Sequence, residues 1–302
     1  MIISVSRRTD IPSDYPDWFY QRVKERFACV RNPMNPQQVR TVSLAPEDVD
    51  CFVFWTKNPE PMMARLEELE AYAYYFQFTL TGYGTDIEPR IPHKRKTMIP
   101  VFQRLSEKIG ADRVIWRYDP ILFNKTYTPE YHLNAFGQIA EALNGYTKKC
   151  VISFVDEYLK NKKELKELGV YAPDEAQTLR FAKSLADAAG QNGMEIASCA
   201  EAADLSACGI THNRCVDPEL IARITGRTLK AAKDPNQRKE CGCMASVDIG
   251  AYHTCGNGCR YCYANSSAER VAKNRSHYDE TSPILCGALS ERELENARGQ
   301  SR

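Results

Sequence analysis

The chain of 302 residues, 43% hydrophobic and 26% charged, is long enough to enclose a sizeable core, as one large domain or two smaller ones. A formal net charge of +1 excludes a global field drawing it to nucleic acid or an acidic membrane, leaving only local patches for such contacts. No apolar stretch approaches the roughly 18–20 residues that span a bilayer. The opening MIISVSRRTD lacks the features of a secretory signal. A soluble, cytoplasmic protein without membrane contact is expected.

In chain order, six runs rich in Val, Ile, Phe, Tyr and Thr read as strands: residues 2–7, 51–57, 72–81, 113–118, 150–155 and 194–199. Helical patterns separate them. Asn58-Pro59-Glu60-Pro61 precedes a periodic stretch at 62–69. Thr128-Pro129-Glu130 has the order of a cap, a first-turn proline and a first-turn acid. Pro173-Asp174-Glu175 opens a helix at 176–189, which Gly190 and Gly193 can stop. Strand–helix alternation predicts parallel strands with crossover helices. The fold expected is a partial or closed (β/α) barrel of about six units over residues 1–216, with an open doubly wound sheet as the alternative. From residue 217 the character changes. A short helix at 217–226 and a basic stretch at 227–239 lead into a cysteine-dense segment, and 217–302 is expected to pack on the barrel mouth.

Parallel α/β folds build their sites at the C-terminal ends of strands. All six predicted ends carry polar chemistry, through Arg7, Lys57, Thr81-Gly82-Tyr83, Arg117 with Asp119, Asp156 and Glu201. These residues are the catalytic candidates, Thr81 and Gly82 being candidates for cofactor contact. Arginine and lysine there suit a carboxylate or phosphate, and the acids suit hydroxyls or an ammonium. The five histidines form no cluster, and no nucleophile elbow, phosphate loop or complete dinucleotide fingerprint occurs.

Twelve cysteines are too many to pass over, and nine fall from 199 to 286. A reducing compartment favours metal over disulfides. Cys255-Gly-Asn-Gly-Cys259-Arg-Tyr-Cys262 puts three thiols in one glycine-bearing loop with C-x3-C-x2-C spacing. Three thiolates can hold three irons of a 4Fe–4S cluster and leave the fourth open. A zinc knuckle is the alternative, but zinc favours paired C-x2-C units and four ligands. Cys241 and Cys243, joined by Cys199 and Cys215, could supply a second cluster, either structural or electron-relaying, with Cys208 a substitute for a distant ligand. Cys29, Cys51, Cys150 and Cys286 read as free thiols. The basic stretch 227–239 lacks the aromatic interleaving of a base-stacking surface and reads as a solvated loop.

The C-x3-C-x-aromatic-C pattern resembles the radical S-adenosylmethionine (SAM) superfamily. The string Cys259-Arg260-Tyr261-Cys262-Tyr263-Ala264-Asn265 is most similar to that of spore photoproduct lyase and its DNA-repair relatives. The resemblance implies an open iron that chelates SAM, a reduced cluster that cleaves it to methionine and a 5′-deoxyadenosyl radical, and a partial or full α/β barrel. It also implies that Tyr261, Tyr263 and Arg117 help hold the cofactors, and that a reductant of the flavodoxin or ferredoxin kind supplies electrons. The substrate stays open between a small molecule and a nucleic acid. One feature departs from the superfamily, whose triad follows the first strand, whereas here it lies near the C-terminal end. Across most of its length the chain resembles an uncharacterised bacterial family, domain of unknown function 1848, through Ser6-Arg7-Arg8-Thr9-Asp10, Phe54-Trp55-Thr56-Lys57-Asn58-Pro59, Trp116-Arg117-Tyr118-Asp119-Pro120 and Asn236-Gln237-Arg238 followed by Cys241-Gly242-Cys243. Two other readings stand beside the radical enzyme. One is an iron–sulfur electron carrier or redox sensor, which needs no pocket beside its cluster. The other is a zinc-stabilised barrel enzyme.

Overall fold

The computed structural model describes residues 1–230 and 232–300, the side chains of 296–300 excepted. Its strands are β1 (Ile2–Val5), β2 (Phe27–Arg31), β3 (Val39–Ser43), β4 (Cys51–Thr56), β5 (Tyr74–Thr79), β6 (Val114–Ile121), β7 (Lys149–Phe154), β8 (Glu195–Ser198), β9 (Thr211–His212) and β10 (Val247–Asp248). The six predicted runs are β1 and β4 to β8. The sequence reading missed the two-residue strands β9 and β10, too short for any periodicity. It also missed the antiparallel β2–β3 hairpin beside the main sheet.

The main sheet is wholly parallel and has eight strands in the order β10-β1-β4-β5-β6-β7-β8-β9. From β1 onward the order follows the chain without reversal, whereas a doubly wound sheet reverses at a switch point. No pairing between β9 and β10 closes the sheet among the described residues, so the closed barrel is not what forms.

Alternation along the strands explains the two packing faces. Phe52, Phe54, Phe76 and Phe78 are fully buried on the face covered by helices, where Phe19 of the helix Pro16–Glu25 meets Phe52 and Phe54 edge-on at 5.3 Å. Burying each such ring contributes roughly 1.5–3 kcal/mol. Ile2, Val53, Tyr75, Ile115 and Val151 share a separate core with Val216, Leu220, Ile221 and Met244. The helix Pro218–Thr225 therefore fills one face of the sheet. It starts as predicted: Asp217 accepts from the amides of Glu219 and Leu220, and Gly226 at φ +68° ends it. Thr128 caps the helix Pro129–Ala142 in the same way, and Asp174 with Gln177 forms a capping box for Glu175–Gln191.

Residues after 217 also enter the sheet itself, because β10 pairs Val247 with Ile3 and Asp248 with Ser4. Asp248 fixes this edge. Its carboxylate accepts from Ser4 Oγ at 2.9 Å, Ser6 Oγ at 2.6 Å and the Arg7 amide at 2.8 Å.

Candidate active site

The C-terminal ends of the strands surround one cavity of about 470 Å³. Arg7, Lys57, Arg117, Asp119 and Asp156 all reach its wall, as the strand-end argument expected. All three cysteines of the C-terminal loop open onto it as well, and so do Cys199, Cys215, Cys241 and Cys243. Seven thiols from four stretches of chain thus face one space. Among the described residues, no three His, Cys, Asp or Glu side chains close on a point that a single ion would occupy.

The loop of Cys255, Cys259 and Cys262 follows β10 and is fastened by carboxylates. Asp14 accepts from the Gly256 amide at 2.6 Å and pairs with Arg275 at 2.9 Å. A β-carbon on Gly256 would stand 2.6 Å from Arg275 Nη1, so any side chain there must push the arginine aside. Asp10 accepts from Asn257 Nδ2 at 3.0 Å and from the Lys57 amide at 2.8 Å. Burial pushes Asp10 up to about 6, against the pull of these hydrogen bonds. Gly258 has φ +70°, a left-handed turn that lets the loop double back. Asn265 Nδ2 donates to the Cys255 carbonyl at 2.9 Å, and the Ala264 amide donates to Cys262 Sγ at 3.3 Å. Burial pushes all three thiols up, Cys259 to about 12 with Lys57 pulling the other way.

Beneath the loop lies a buried ion cluster. Glu88 accepts from Lys57 at 2.8 Å, from Thr81 Oγ1 at 3.0 Å, and from Lys94 and the Tyr261 hydroxyl. Burial opposes its charge, but the two ammonium groups outweigh this and hold Glu88 at about 2. Tyr261 packs between Lys57, whose Nζ is 5.5 Å from its ring, and Tyr83 at 5.7 Å. Tyr263 lines the cavity and donates to the Arg7 carbonyl at 2.7 Å.

Some predicted site residues stand behind the wall instead of in it. Tyr83 accepts from the Leu122 amide at 2.7 Å and donates to the Pro120 carbonyl at 2.9 Å, bracing the β6 exit. Gly82 lies against the helix Pro129–Ala142, where a β-carbon would come 2.7 Å from that of Ala135. Thr81 is buried on Glu88. Glu201 accepts from the Phe154 amide at 2.7 Å, and burial pushes it up to about 7. Cys208 donates to the Leu179 carbonyl at 3.3 Å, does not reach the cavity and so is no substitute ligand. The sequence reading assigned no role to Asp14, Arg275, Trp55 or Asn161. Asn161 Nδ2 donates to the Tyr261 carbonyl at 3.0 Å, a contact across 100 residues that no local pattern announces.

The four dispersed cysteines meet beside two arginines. Cys199 Sγ and Cys215 Sγ are 3.4 Å apart. Arg117 divides its fork: Nε and Nη2 hold Asp119 at 3.1 and 2.7 Å, while Nη1 donates to Cys215 Sγ at 2.8 Å. Trp55 packs against both Arg7 and Arg117, whose guanidinium carbons are 5.0 and 5.2 Å from its ring.

No helix among the described residues is long and apolar enough to cross a membrane. No curated protein matches the chain. One family profile does, over residues 2–264, and it takes in the strand-end strings, both cysteine groups and the loop between β10 and Ala264. The chain belongs to the family described as domain of unknown function DUF1848.

Proposed function

We propose that this chain is a radical SAM enzyme built on a partial (β/α) barrel, with Cys255, Cys259 and Cys262 as ligands of a 4Fe–4S cluster. The observation that carries the reading is the place of β10. In sequence the cysteine loop comes late, but in the sheet it follows the strand at one edge, with β1 second and β4 third. In space the loop therefore holds the position after a first strand that the superfamily pattern requires. The departure read from the sequence becomes a change in where the chain begins.

The donor set fits such a cluster. Each of the three thiolates takes a different iron, so the sulfurs must surround a volume and not a point. The three cysteines edge one cavity of about 470 Å³, which leaves room for such a group beside them. When bound and reduced, the group supplies the electron that splits SAM into methionine and a 5′-deoxyadenosyl radical.

The chain's own residues do the rest. Asp10, Asp14 and Arg275 fix the loop. Lys57, held by Glu88, puts a cation beside Cys259, which favours the thiolate over the thiol. Arg7, Asp119 and Asp156 offer charged groups to the amino acid part of SAM or to substrate at the same mouth. The cavity also favours an enzyme over a passive electron carrier, which needs no such space. The substrate, a small molecule or a nucleic acid, and a flavodoxin- or ferredoxin-like reductant complete the proposed set of partners, in the cytoplasm.

Anaerobic reconstitution, dithionite reduction and mass spectrometry of 5′-deoxyadenosine test the proposal. Deoxyadenosine is expected from the parent chain and not from Cys259→Ala. Bound iron and sulfide with no deoxyadenosine, across a panel of nucleosides, amino acids and oligonucleotides, would return the chain to the electron-carrier reading.

A further inference from the structure

The four thiols of Cys199, Cys215, Cys241 and Cys243 need an explanation of their own. They come from three separate stretches: the end of β8, the segment after β9, and the turn before β10. Nothing in packing requires four cysteines side by side, Cys199 against Cys215, Cys215 against Cys243 and Cys243 against Cys241, since small apolar residues would fill the same volume. Mutual contact and burial push Cys199, Cys215 and Cys243 up as free thiols, while their surroundings direct hydrogen-bond donors and cations at the sulfurs. Arg117, fully enclosed, directs one nitrogen at Cys215 and its charge also acts on Cys199. Asn213 Nδ2 donates to Cys215 Sγ at 3.1 Å, and the Val216 amide donates to Cys243 Sγ at 3.4 Å. The charge of Arg7 acts on Cys243 and Cys215.

Two donors in this neighbourhood have no acceptor. Arg7 Nη2 and Trp55 Nε1 are buried without a hydrogen-bond partner among the described residues. Both side chains line the cavity that the four cysteines face. A buried guanidinium nitrogen left unpaired is costly, and its presence signals an acceptor that occupies the space in the working protein. Bridging sulfides of an iron–sulfur cluster are such acceptors, and hydrogen bonds to cluster sulfurs are a recognised means of tuning them. A lone zinc ion brings no bridging sulfide, so the cysteine sulfurs, which already take donors from Arg117, Asn213 and the Val216 amide, would be its only acceptors.

We propose that Cys199, Cys215, Cys241 and Cys243 hold a second iron–sulfur cluster, fully ligated by protein, in the wall of the cavity that the C-x3-C-x2-C loop also lines. Arg7 and Arg117 offset its negative charge, and Trp55 packs against both guanidinium groups. With four thiolates it leaves no iron open, in contrast with a three-cysteine site. This proposal concerns residues outside the loop and does not depend on SAM cleavage.

Metal and sulfide analysis with electron paramagnetic resonance tests it, on the anaerobically reconstituted full chain. The parent, Cys241→Ser/Cys243→Ser, Cys259→Ser/Cys262→Ser and the fourfold variant are compared. Each double variant is expected to keep about half the iron and sulfide of the parent, with one reduced-state signal lost in each, and the fourfold variant to keep almost none. The surviving signal in Cys241→Ser/Cys243→Ser shows that this chain still folds. Unchanged iron in Cys241→Ser/Cys243→Ser overturns the proposal, as does one zinc per chain that disappears with those two cysteines. Iron lost with Cys241 and Cys243 but unaffected by Cys259 and Cys262 leaves this inference standing and removes the loop-bound cluster instead.

Discussion

The two cysteine groups on the cavity are built by opposite means. The loop group takes three thiols from eight consecutive residues and is fastened from outside by acids, Asp10 and Asp14, through backbone and amide donors of the loop. The dispersed group takes four thiols from three stretches of chain and is contacted by arginine at the sulfur itself. A short loop carries its own ligand geometry and needs only an anchor. A dispersed set has its geometry from the sheet, and the nearby charges are free to act on sulfur. One group is therefore legible as a motif, whereas the other could be named from its cysteines in the sequence but owes its geometry to the fold.

The largest expected effect tests the charge side of that contrast. Arg117→Met removes the cation that serves Cys215 and Asp119 together. Breaking a buried pair by deleting one partner costs about 3–5 kcal/mol. The lower end, about 3 kcal/mol, is expected here, because the Asp119 side chain keeps 20% exposure at the cavity. Urea unfolding measures the loss. Iron attributable to the dispersed group should fall with it, while the loop group keeps its own. Equal loss from both groups would show that the two are one cooperative unit.

The frame beneath both groups supplies the second test. His132 is fully buried, bonded to the Tyr118 hydroxyl at 2.8 Å and to the Leu122 carbonyl at 2.9 Å. The pattern fits a neutral ring that donates from Nε2 and accepts at Nδ1. Burial lowers its pKa from 6.5 to about 4. The unfolded chain then binds the proton more readily between these values, so stability present above pH 6.5 is lost as pH falls toward 4. The full shift corresponds to about 3 kcal/mol, and about 2 kcal/mol is the expected change. Denaturant titrations from pH 7 to 4 should show this slope in the parent and a flatter one in His132→Gln.

What the sequence disclosed follows the same division. Strands β1 and β4 to β8 were visible because Phe, Val and Ile alternate or run continuously over four to eight residues. The caps at Asp217, Thr128 and Asp174 were visible because capping is local. β10 was not, since two residues carry no period, and yet its pairing with β1 gives the loop its place. Asp14, Arg275 and Asn161 were equally hidden, because their contacts join residues 100 or more positions apart. Gly256 offered the one available hint. A glycine in a motif loop implies a close approach, although the partner that approaches is not written beside it.

That close approach gives the third test. Gly256→Ala places a methyl 2.6 Å from Arg275 Nη1 and 3.1 Å from Asp14 Oδ2. Arg275 is a flexible side chain with 35% exposure and can swing away, which gives up its pairing with Asp14. A cost of about 1 kcal/mol is expected, at the bottom of the range for overpacked sites. The informative readout is selective: faster iron release from the loop group under a chelator, with the dispersed group unchanged.

The smallest expected effect asks whether surface charge also anchors the loop. Arg260 lies between Cys259 and Tyr261, and its Nε pairs with Glu164 at 2.7 Å on the short helix Lys162–Glu167. Both side chains are a third or more exposed, where ion pairs contribute roughly 0.2–1 kcal/mol. The Arg260 amide, by contrast, donates to the Ile87 carbonyl at 3.0 Å, and that bond survives loss of the side chain. Arg260→Ala should therefore change stability by well under 1 kcal/mol and leave chelator-resistant iron as it was. A large loss of iron would mean that the Lys162–Glu167 helix clamps the loop from the solvent side. The loop group would then depend on distant structure as much as the dispersed one does, and the contrast between a self-contained motif and a fold-built site would no longer hold.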